Sequence, residues 1–272
     1  MATTTTCFHH PDRPTGRSCT RCGRPACADC LHDAPVGAHC FECIRAARPP
    51  ARQRLRRWNA SAGPLATKVL IAINIVVFVL TSIDGVQAAG RGGHLQSQLS
   101  LYGPAVARGD WYRLVSSGFV HYGLLHIGFN MLLLYQLGLL LEPALGRLRF
   151  VVLYFAALLA GSFGALLLSP TVFSAGASGA VFGLFGAAAV GLRQRGVRVM
   201  QTGVGALLVI NIILTFAVPG ISIGAHLGGL AGGTVTGWFM LHPARRSKLA
   251  GIGVAALLIA CSLFGALWAA HR

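Results

Sequence analysis

Seven long apolar runs, separated by short polar segments, follow one another along the chain after residue 64. Each run is close to the length of about 20 residues with which an α-helix crosses the hydrocarbon layer of a bilayer. The pattern predicts seven membrane-spanning helices, at residues 65–83, 121–141, 149–168, 178–193, 199–217, 223–241 and 249–270. The long connection between the first two runs contains Trp111 and Tyr112. We expect it to rest in the outer leaflet, an exposed aromatic loop being the alternative.

Composition points to the same class of protein. Hydrophobic residues make up 54% of the chain and charged residues 11%, whereas an ordinary globular chain has about 25% charged residues. The 35 glycines lie largely within this apolar background, which suits helices that pack closely in lipid. The predicted fold class is an all-α membrane protein.

The formal net charge of +16 by itself suggests a nucleic-acid partner. The distribution of the charge argues otherwise. With the N-terminus inside, fifteen Lys and Arg residues flank the inner ends of the predicted helices and four flank the outer ends. Basic residues concentrate in cytoplasmic loops of membrane proteins. We therefore predict a multi-pass protein of the plasma membrane with a cytoplasmic N-terminus and an extracellular C-terminus, and no nucleic-acid partner.

Seven of the eight cysteines fall within residues 7–43, and together with one histidine they form four pairs with a two-residue gap. The pairs are Cys7 with His10, Cys19 with Cys22, Cys27 with Cys30, and Cys40 with Cys43. Such a gap lets two side chains face one tetrahedral metal ion, so the segment predicts two structural Zn²⁺ sites in a module of residues 1–45. Disulfides are the alternative, but the odd number of cysteines and the cytoplasmic prediction favour zinc.

The order of these pairs resembles a cross-braced B-box or RING-like finger. That resemblance implies one ion on Cys7, His10, Cys27 and Cys30, and the other on Cys19, Cys22, Cys40 and Cys43. His9, His32 and His39 are candidate substitute ligands. A docking or regulatory module that binds a protein partner is the expected role. A basic linker, residues 46–64, follows it and reads as a juxtamembrane anchor.

Five polar residues lie where the lipid interior disfavours them, in predicted helices two, four and six. They are His121, His126, Asn130, Ser178 and His226. These three helices run in the same direction, so all five residues are predicted in the outer half of the bilayer. Polar groups at that depth are functional candidates because burying them is costly.

Ser178 is predicted at a helix N-terminus, where unpaired N–H groups and the helix dipole favour a developing oxyanion. His226 can serve it as a base, and His126 and Asn130 share one helical face. Glycines repeat every four residues on helices four and six, from Gly179 to Gly183 and in two stripes that begin at Gly224 and Gly229. These stripes would let the two helices bring Ser178 to His226.

The motifs Asp110-Trp-Tyr-Arg113, Phe119-Val-His121 with His126 and Asn130, Gly176-Ala-Ser178-Gly179 and Ala225-His226-Leu-Gly-Gly229 occur in this order. Together they resemble the rhomboid intramembrane serine proteases. The resemblance covers about residues 65–241, the six-helix core. Residues 242–272 resemble the loop and seventh helix of one rhomboid class, and the cysteine-rich front resembles the zinc-finger prefix of some bacterial members.

The resemblance implies roles for individual residues. Ser178 would be the nucleophile and His226 its base; the Ser178 N–H, His126 and Asn130 would bind the oxyanion. His121 and Gly176 would shape the site. Substrates would be transmembrane protein segments in the lipid bilayer, cleaved near the outer face without a metal or other cofactor in the chemistry. The alternative is an inactive relative that binds and escorts membrane helices. A transporter is disfavoured because the inner helix halves carry no charged path.

Overall fold

The structure is a computed structural model that describes residues 5–34, 36–47, 63–83, 93–242 and 248–271. The chain divides into two compact units, Met1–Trp58 and Asn59–Arg272. Residues 48–62 of the predicted basic linker lie outside the described residues, as do Arg91, Arg245, Arg246 and Arg272 of the charge count.

The first unit contains a short antiparallel hairpin and one helix among its described residues. Strands β1 (Leu31–Asp33) and β2 (Ala38–Cys40) pair with His32 opposite His39. Helix α1, Phe41–Ala47, follows directly. The buried apolar cluster is small and consists of Cys7, Cys19, Ala26, Cys30, Leu31 and Cys40. Four of these six residues are predicted metal ligands, so little other apolar surface is buried.

The named secondary-structure elements in the described residues of the second unit are all helices. The long helices are α2 (Leu65–Ile83), α6 (Leu124–Leu145), α7 (Arg147–Leu168), α8 (Ser178–Arg193), α9 (Gly203–Ala217), α10 (Ile223–Leu241) and α11 (Lys248–Ala270). Within the described residues, α2, α6, α7 and all but the first residue of α11 are long and apolar enough to cross a membrane. The prediction of an all-α, multi-pass membrane protein is confirmed.

Helix bounds differ from the prediction at two places that matter for the site. The second long helix begins at Leu124 rather than residue 121, because Gly123 has φ +96° and ends the preceding segment. His121 therefore lies before the helix and not in its first turn. The fifth begins at Gly203 rather than residue 199: Val199–Gln201 form a 3₁₀ turn, and the Thr202 side chain caps the helix by accepting from the Gly205 N–H.

Helix α10 packs between α7 and α8 through its two glycine stripes. One stripe faces α8: a Cβ on Gly229 would lie 2.0 Å from the Gly179 oxygen, and one on Gly233 would lie 2.1 Å from the Gly183 oxygen. The other stripe faces α7, where a Cβ on Gly228 would lie 2.4 Å from the Ala160 oxygen. Only glycine permits this approach, because any side chain there would overlap backbone on the neighbouring helix.

The segment before α6 folds into three short helices, α3 (His94–Leu99), α4 (Gly103–Ala107) and α5 (Arg113–Ser116). The buried Arg113 ties the segment together: its Nη1 donates to the Ser97 and Ser100 carbonyls, and its Nε donates to Asp110. Leu101 pairs by backbone hydrogen bonds with Ser174 in the loop after α7. The segment thereby holds the loop that leads into α8.

A buried carboxylate joins α6 to α2. Glu142 is 3% exposed and accepts hydrogen bonds from the N–H groups of Ala66 and Thr67 and from the Thr67 hydroxyl. These donors belong to the first turn of α2, whose N–H groups have no partner within the helix. A negative charge at a helix N-terminus is also favourable to the helix dipole.

Candidate active site

Ser178 and His226 form a hydrogen-bonded pair inside the helical unit. Ser178 is the first residue of α8, and His226 lies in the first turn of α10 after the Ser222 cap. The Ser178 Oγ is 2.8 Å from His226 Nε2. The glycine contact between α8 and α10 sets this distance, because larger residues there would separate the two helices. His226 is 7% exposed and Ser178 is partly exposed, so the histidine is shielded while the hydroxyl side of the pair is more open.

Two further side chains contact His226, and neither was predicted as a site residue from the sequence. Phe182, one turn after Ser178, stacks on the imidazole with 4.1 Å between ring centroids and 18° between planes. The Thr215 hydroxyl on α9 is 2.7 Å from His226 Nδ1. Spacing offered a signal for each: Phe182 shares a helical face with Ser178, and Asn211 and Thr215 are polar residues four apart in an apolar helix.

His126 and Gly176 lie beside Ser178. A Cβ on Gly176 would lie 2.7 Å from His126 Nε2 and 3.7 Å from the Ser178 Oγ, and Gly176 has φ +126°. A side chain at this position would therefore be strained and would crowd the His126 imidazole. The Tyr122 N–H donates to His126 Nδ1 over 3.3 Å. Since Nδ1 accepts, the proton of a neutral His126 is on Nε2, which faces Gly176.

His121 and Asn130 contact neighbouring backbone. His121 is buried, and its Nε2 accepts a hydrogen bond from the Ala177 N–H over 3.4 Å, next to Ser178. Its carbonyl accepts from the buried Gln96 side chain. Asn130 Nδ2 donates to the His126 carbonyl over 2.9 Å, within α6. One site is thus formed or bordered by Ser178, His226, His121 and His126. Asn130 lies one helical turn after His126, and its described hydrogen bond is to the His126 carbonyl.

The eight predicted zinc ligands form two groups in the first unit. Each group offers four ligand atoms within 4.8 Å of one another, and the groups are Cys7, His10, Cys27, Cys30 and Cys19, Cys22, Cys40, Cys43. This grouping is the one that the resemblance to a cross-braced finger implied. His9, His32 and His39 fall outside both groups among the described residues. Both clusters have the donor types and number of a closed structural zinc site.

The thiols in each group differ in acidity. Burial raises the pKa of Cys7, but hydrogen bonds from the Cys27 and His9 backbone and from His10 outweigh it and bring the pKa to about 6. Burial, together with the neighbouring Cys27 and Cys7, raises the pKa of Cys30 to about 12. Three or four ionised thiolates this close repel one another, whereas a bound divalent cation stabilises them together.

The second unit belongs to the class of multi-pass helical membrane proteins that contain a hydrogen-bonded serine–histidine pair. Comparison with known proteins shows its family. Residues 108–243 match the Rhomboid domain. The chain is 36% identical over 177 residues to Rhomboid protease GluP of Bacillus subtilis, covering 62% of this chain and 34% of that protein. It is 31% identical over 149 residues to Putative rhomboid protease YdcA of the same organism, covering 53% of this chain and 75% of that protein.

A plant relative, RHOMBOID-like protein 4 of Arabidopsis thaliana, is 34% identical over 155 residues, covering 54% of this chain and 39% of that protein. The chain belongs to the rhomboid family, which confirms the resemblance seen in its motifs. It spans about a third of the length of GluP and three quarters of YdcA. The domain match begins at residue 108 and so does not bear on the cysteine-rich segment.

Proposed function

We propose that this protein is an intramembrane serine endopeptidase in which Ser178 is the nucleophile and His226 the general base. The observation that carries the proposal is the 2.8 Å hydrogen bond between the Ser178 Oγ and His226 Nε2. A serine hydroxyl is a weak nucleophile until an adjacent base accepts its proton. Membership of a family of intramembrane proteases supports the same conclusion.

The proposed reaction is acyl transfer. Ser178 attacks a peptide carbonyl while its proton passes to His226 Nε2, which later returns the proton to the leaving amine. Water then hydrolyses the acyl-enzyme. The negative charge on the carbonyl oxygen develops beside Gly176, where His126 Nε2–H is a donor. The Ser178 N–H and Asn130 are the other proposed oxyanion donors, and His121 and Gly176 shape the loop that presents Ser178.

The proposed substrates are transmembrane segments of other membrane proteins. An intact helix protects its carbonyls by hydrogen bonds to residues four positions on, so a substrate must unwind locally to reach Ser178. We propose that cleavage occurs near the outer face, with the N-terminus cytoplasmic and the C-terminus extracellular, because the basic residues favour that orientation. Residues 65–241 form the proposed protease core, and 242–272 add a loop and the seventh helix.

We also propose that residues 1–45 bind two structural Zn²⁺ ions through the two four-ligand groups, and that this module engages a protein partner. About 45 residues bury too little apolar surface to fold unaided, so the metal would contribute most of the folding energy. Zinc takes no part in the proposed peptide hydrolysis. Residues 46–64 are the proposed basic linker.

The test of the protease proposal uses the full chain in proteoliposomes with a single-span membrane protein substrate. Ser178→Ala should lower the cleavage rate by at least about 1,000-fold, because removing the nucleophile leaves only binding effects. A serine-directed fluorophosphonate probe should label the parent and not Ser178→Ala. Ser82→Ala is the matched control, since the Ser82 hydroxyl bonds only to the Phe78 carbonyl within α2 among the described contacts.

Cleavage and labelling that persist in Ser178→Ala would overturn the assignment of the nucleophile. A folded parent that neither cleaves nor reacts with the probe would contradict the enzyme proposal. That outcome would favour the non-catalytic helix binder.

A further inference from the structure

Thr215 holds an unusual place on α9. This helix, Gly203–Ala217, is strongly apolar and buries only two of its residues, Gly205 and Thr215. Thr215 is 3% exposed, whereas Ile213, Leu214 and Phe216 beside it are 44–62% exposed. The helix thus turns large apolar side chains outward and its one buried side chain, a polar one, toward His226. A bilayer favours this arrangement, because polar side chains in membrane helices face the bundle interior and pair with other polar groups there.

The hydrogen bonds of Thr215 fix which atom carries each proton. The Thr215 Oγ1 is 2.7 Å from the Asn211 carbonyl and 2.7 Å from His226 Nδ1. A carbonyl oxygen accepts only, so the single hydroxyl proton is donated to Asn211. The oxygen must then accept from His226, which places a proton on Nδ1. His226 Nε2 is left with a lone pair toward the Ser178 hydroxyl.

We propose that Thr215 is a positioning residue that fixes the tautomer and orientation of His226; this inference rests on the proposed function of the Ser178–His226 pair. The other tautomer would carry its proton on Nε2 and could not accept one from Ser178. The Thr215 hydroxyl therefore takes the place at Nδ1 that a carboxylate takes in a Ser-His-Asp triad. Because a neutral hydroxyl replaces a charge, it orients the imidazole and gives the imidazolium only modest stabilisation.

Orientation is restrained from two sides. The Thr215 hydroxyl bonds Nδ1 at the edge of the imidazole, and Phe182 stacks against its face. Residues 218–222 connect α9 to α10, so Thr215 and His226 belong to one helix–loop–helix unit. The proposed base, His226, is thus held by Thr215 on the preceding helix, α9, and by Phe182 on α8, the helix that carries Ser178.

The test compares Thr215→Val, which keeps the shape and removes the hydroxyl, with Thr215→Ser, which keeps the hydroxyl. Thr215→Val should lower kcat and the rate of fluorophosphonate labelling by about tenfold, the value of one neutral hydrogen bond, with KM unchanged. Thr215→Ser should restore both rates to within about twofold of the parent. Thr81→Val is the control, because Thr81 is also a buried threonine that bonds a carbonyl four residues before it.

A second measurement does not depend on activity. Nitrogen NMR of ¹⁵N-histidine-labelled protein, with the His226 signals assigned by their loss in His226→Ala, should show a proton on Nδ1 in the parent and a mixture of tautomers in Thr215→Val. A parent tautomer protonated on Nε2, or Thr215→Val rates equal to the parent, would overturn the inference. Equal losses in Thr215→Val and Thr215→Ser would assign Thr215 to packing. Absence of Ser178-dependent cleavage with the expected tautomer would count against the proposed function alone.

Discussion

Each of the two units of the chain is stabilised internally by a different kind of interaction. Among the described residues of the unit Met1–Trp58, cysteines form most of the buried apolar cluster, which Ala26 and Leu31 complete. In the unit Asn59–Arg272, helices pack so closely at glycines such as Gly233 that an added Cβ would overlap the backbone of a neighbouring helix. The cysteine-rich unit has too small an apolar core to be stable by itself. The helical unit gains little from the hydrophobic effect, because in a bilayer there is no water between the helices to exclude.

This difference reflects the medium in which each unit folds. A short segment in water buries too little apolar surface, so a metal ion must supply the missing free energy. Lipid tails are as apolar as leucine, so helices in a bilayer gain little by burying large side chains and associate through close van der Waals contact instead. The first unit should therefore depend on a few metal ligands, and the second on the absence of side chains at a few glycines.

Metal removal should have the largest effect and should act on the first unit. Structural zinc contributes about 10–16 kcal/mol to the folding of small domains at neutral pH. We expect the parent to bind about two Zn²⁺ per chain, and a chelator should open residues 5–47 to proteolysis. Cys40→Ser should release one ion. Zinc content by mass spectrometry and limited proteolysis of the full chain check this expectation.

Cys261→Ser is the matched control, because Cys261 is an exposed cysteine on α11 that belongs to neither ligand group. It should leave the zinc content unchanged. The thermal stability of the helical unit should also survive the chelator. A parent purified under reducing conditions with no zinc, or a chelator that melts the helices as readily as the module, would remove the contrast between the two units.

The next largest effect is expected from Gly233→Ala in the second unit. The new Cβ would lie 2.1 Å from the Gly183 oxygen, and the three nearest atoms are all backbone atoms of Gly183 on α8. Overpacking against atoms that cannot rotate away should cost about 3 kcal/mol, the upper end of the usual range. Equilibrium unfolding in mixed detergent micelles measures the loss. Cleavage should fall with it, because α8 and α10 also carry Ser178 and His226.

Gly253→Ala provides the comparison for this variant. A Cβ on Gly253, in α11, would meet nothing within 4 Å. Alanine there should leave the free energy of unfolding unchanged or raise it by up to about 1 kcal/mol through helix propensity. If both alanine variants unfold alike, close glycine contact is not what holds α10 in place.

Much of this architecture could be predicted from the sequence, because the positions of apolar residues and glycines determine both where helices form in lipid and where they pack closely. Helix α8 begins at Ser178, as the change from a Gly/Ser-rich loop to an apolar run predicted. The glycine stripes also predicted the close approach of α10 to α8, which Gly229 and Gly233 make. Both predictions rest on local composition, and local composition decides helix bounds and small-residue contacts.

Contacts between segments that are distant in the sequence could not be predicted in this way. Thr215 appeared as one polar residue in an apolar helix, and only the packing of α9 beside α10 brings its hydroxyl to His226. The start of α6 was predicted three residues early, because the left-handed φ of Gly123 follows from the packed segment before it and not from hydrophobicity. The ligand groups of the first unit depend on the order of pairs, which spacing alone leaves open.

The smallest effect is expected at Glu142, where the second unit uses a charge instead of close contact. Glu142→Gln keeps the shape but leaves one oxygen to accept from three donors, the Ala66 and Thr67 N–H groups and the Thr67 hydroxyl. The loss should be about 1.5 kcal/mol of unfolding free energy, the lower end for a bond to a charged group. Thr67→Val removes one donor and should cost less.

The double variant should show coupling between the two positions in the same unfolding assay, since both changes affect one network. Additive losses would mean that the Thr67 hydroxyl acts independently of Glu142, and unchanged stability in Glu142→Gln would mean that the carboxylate does not hold α2 through this turn.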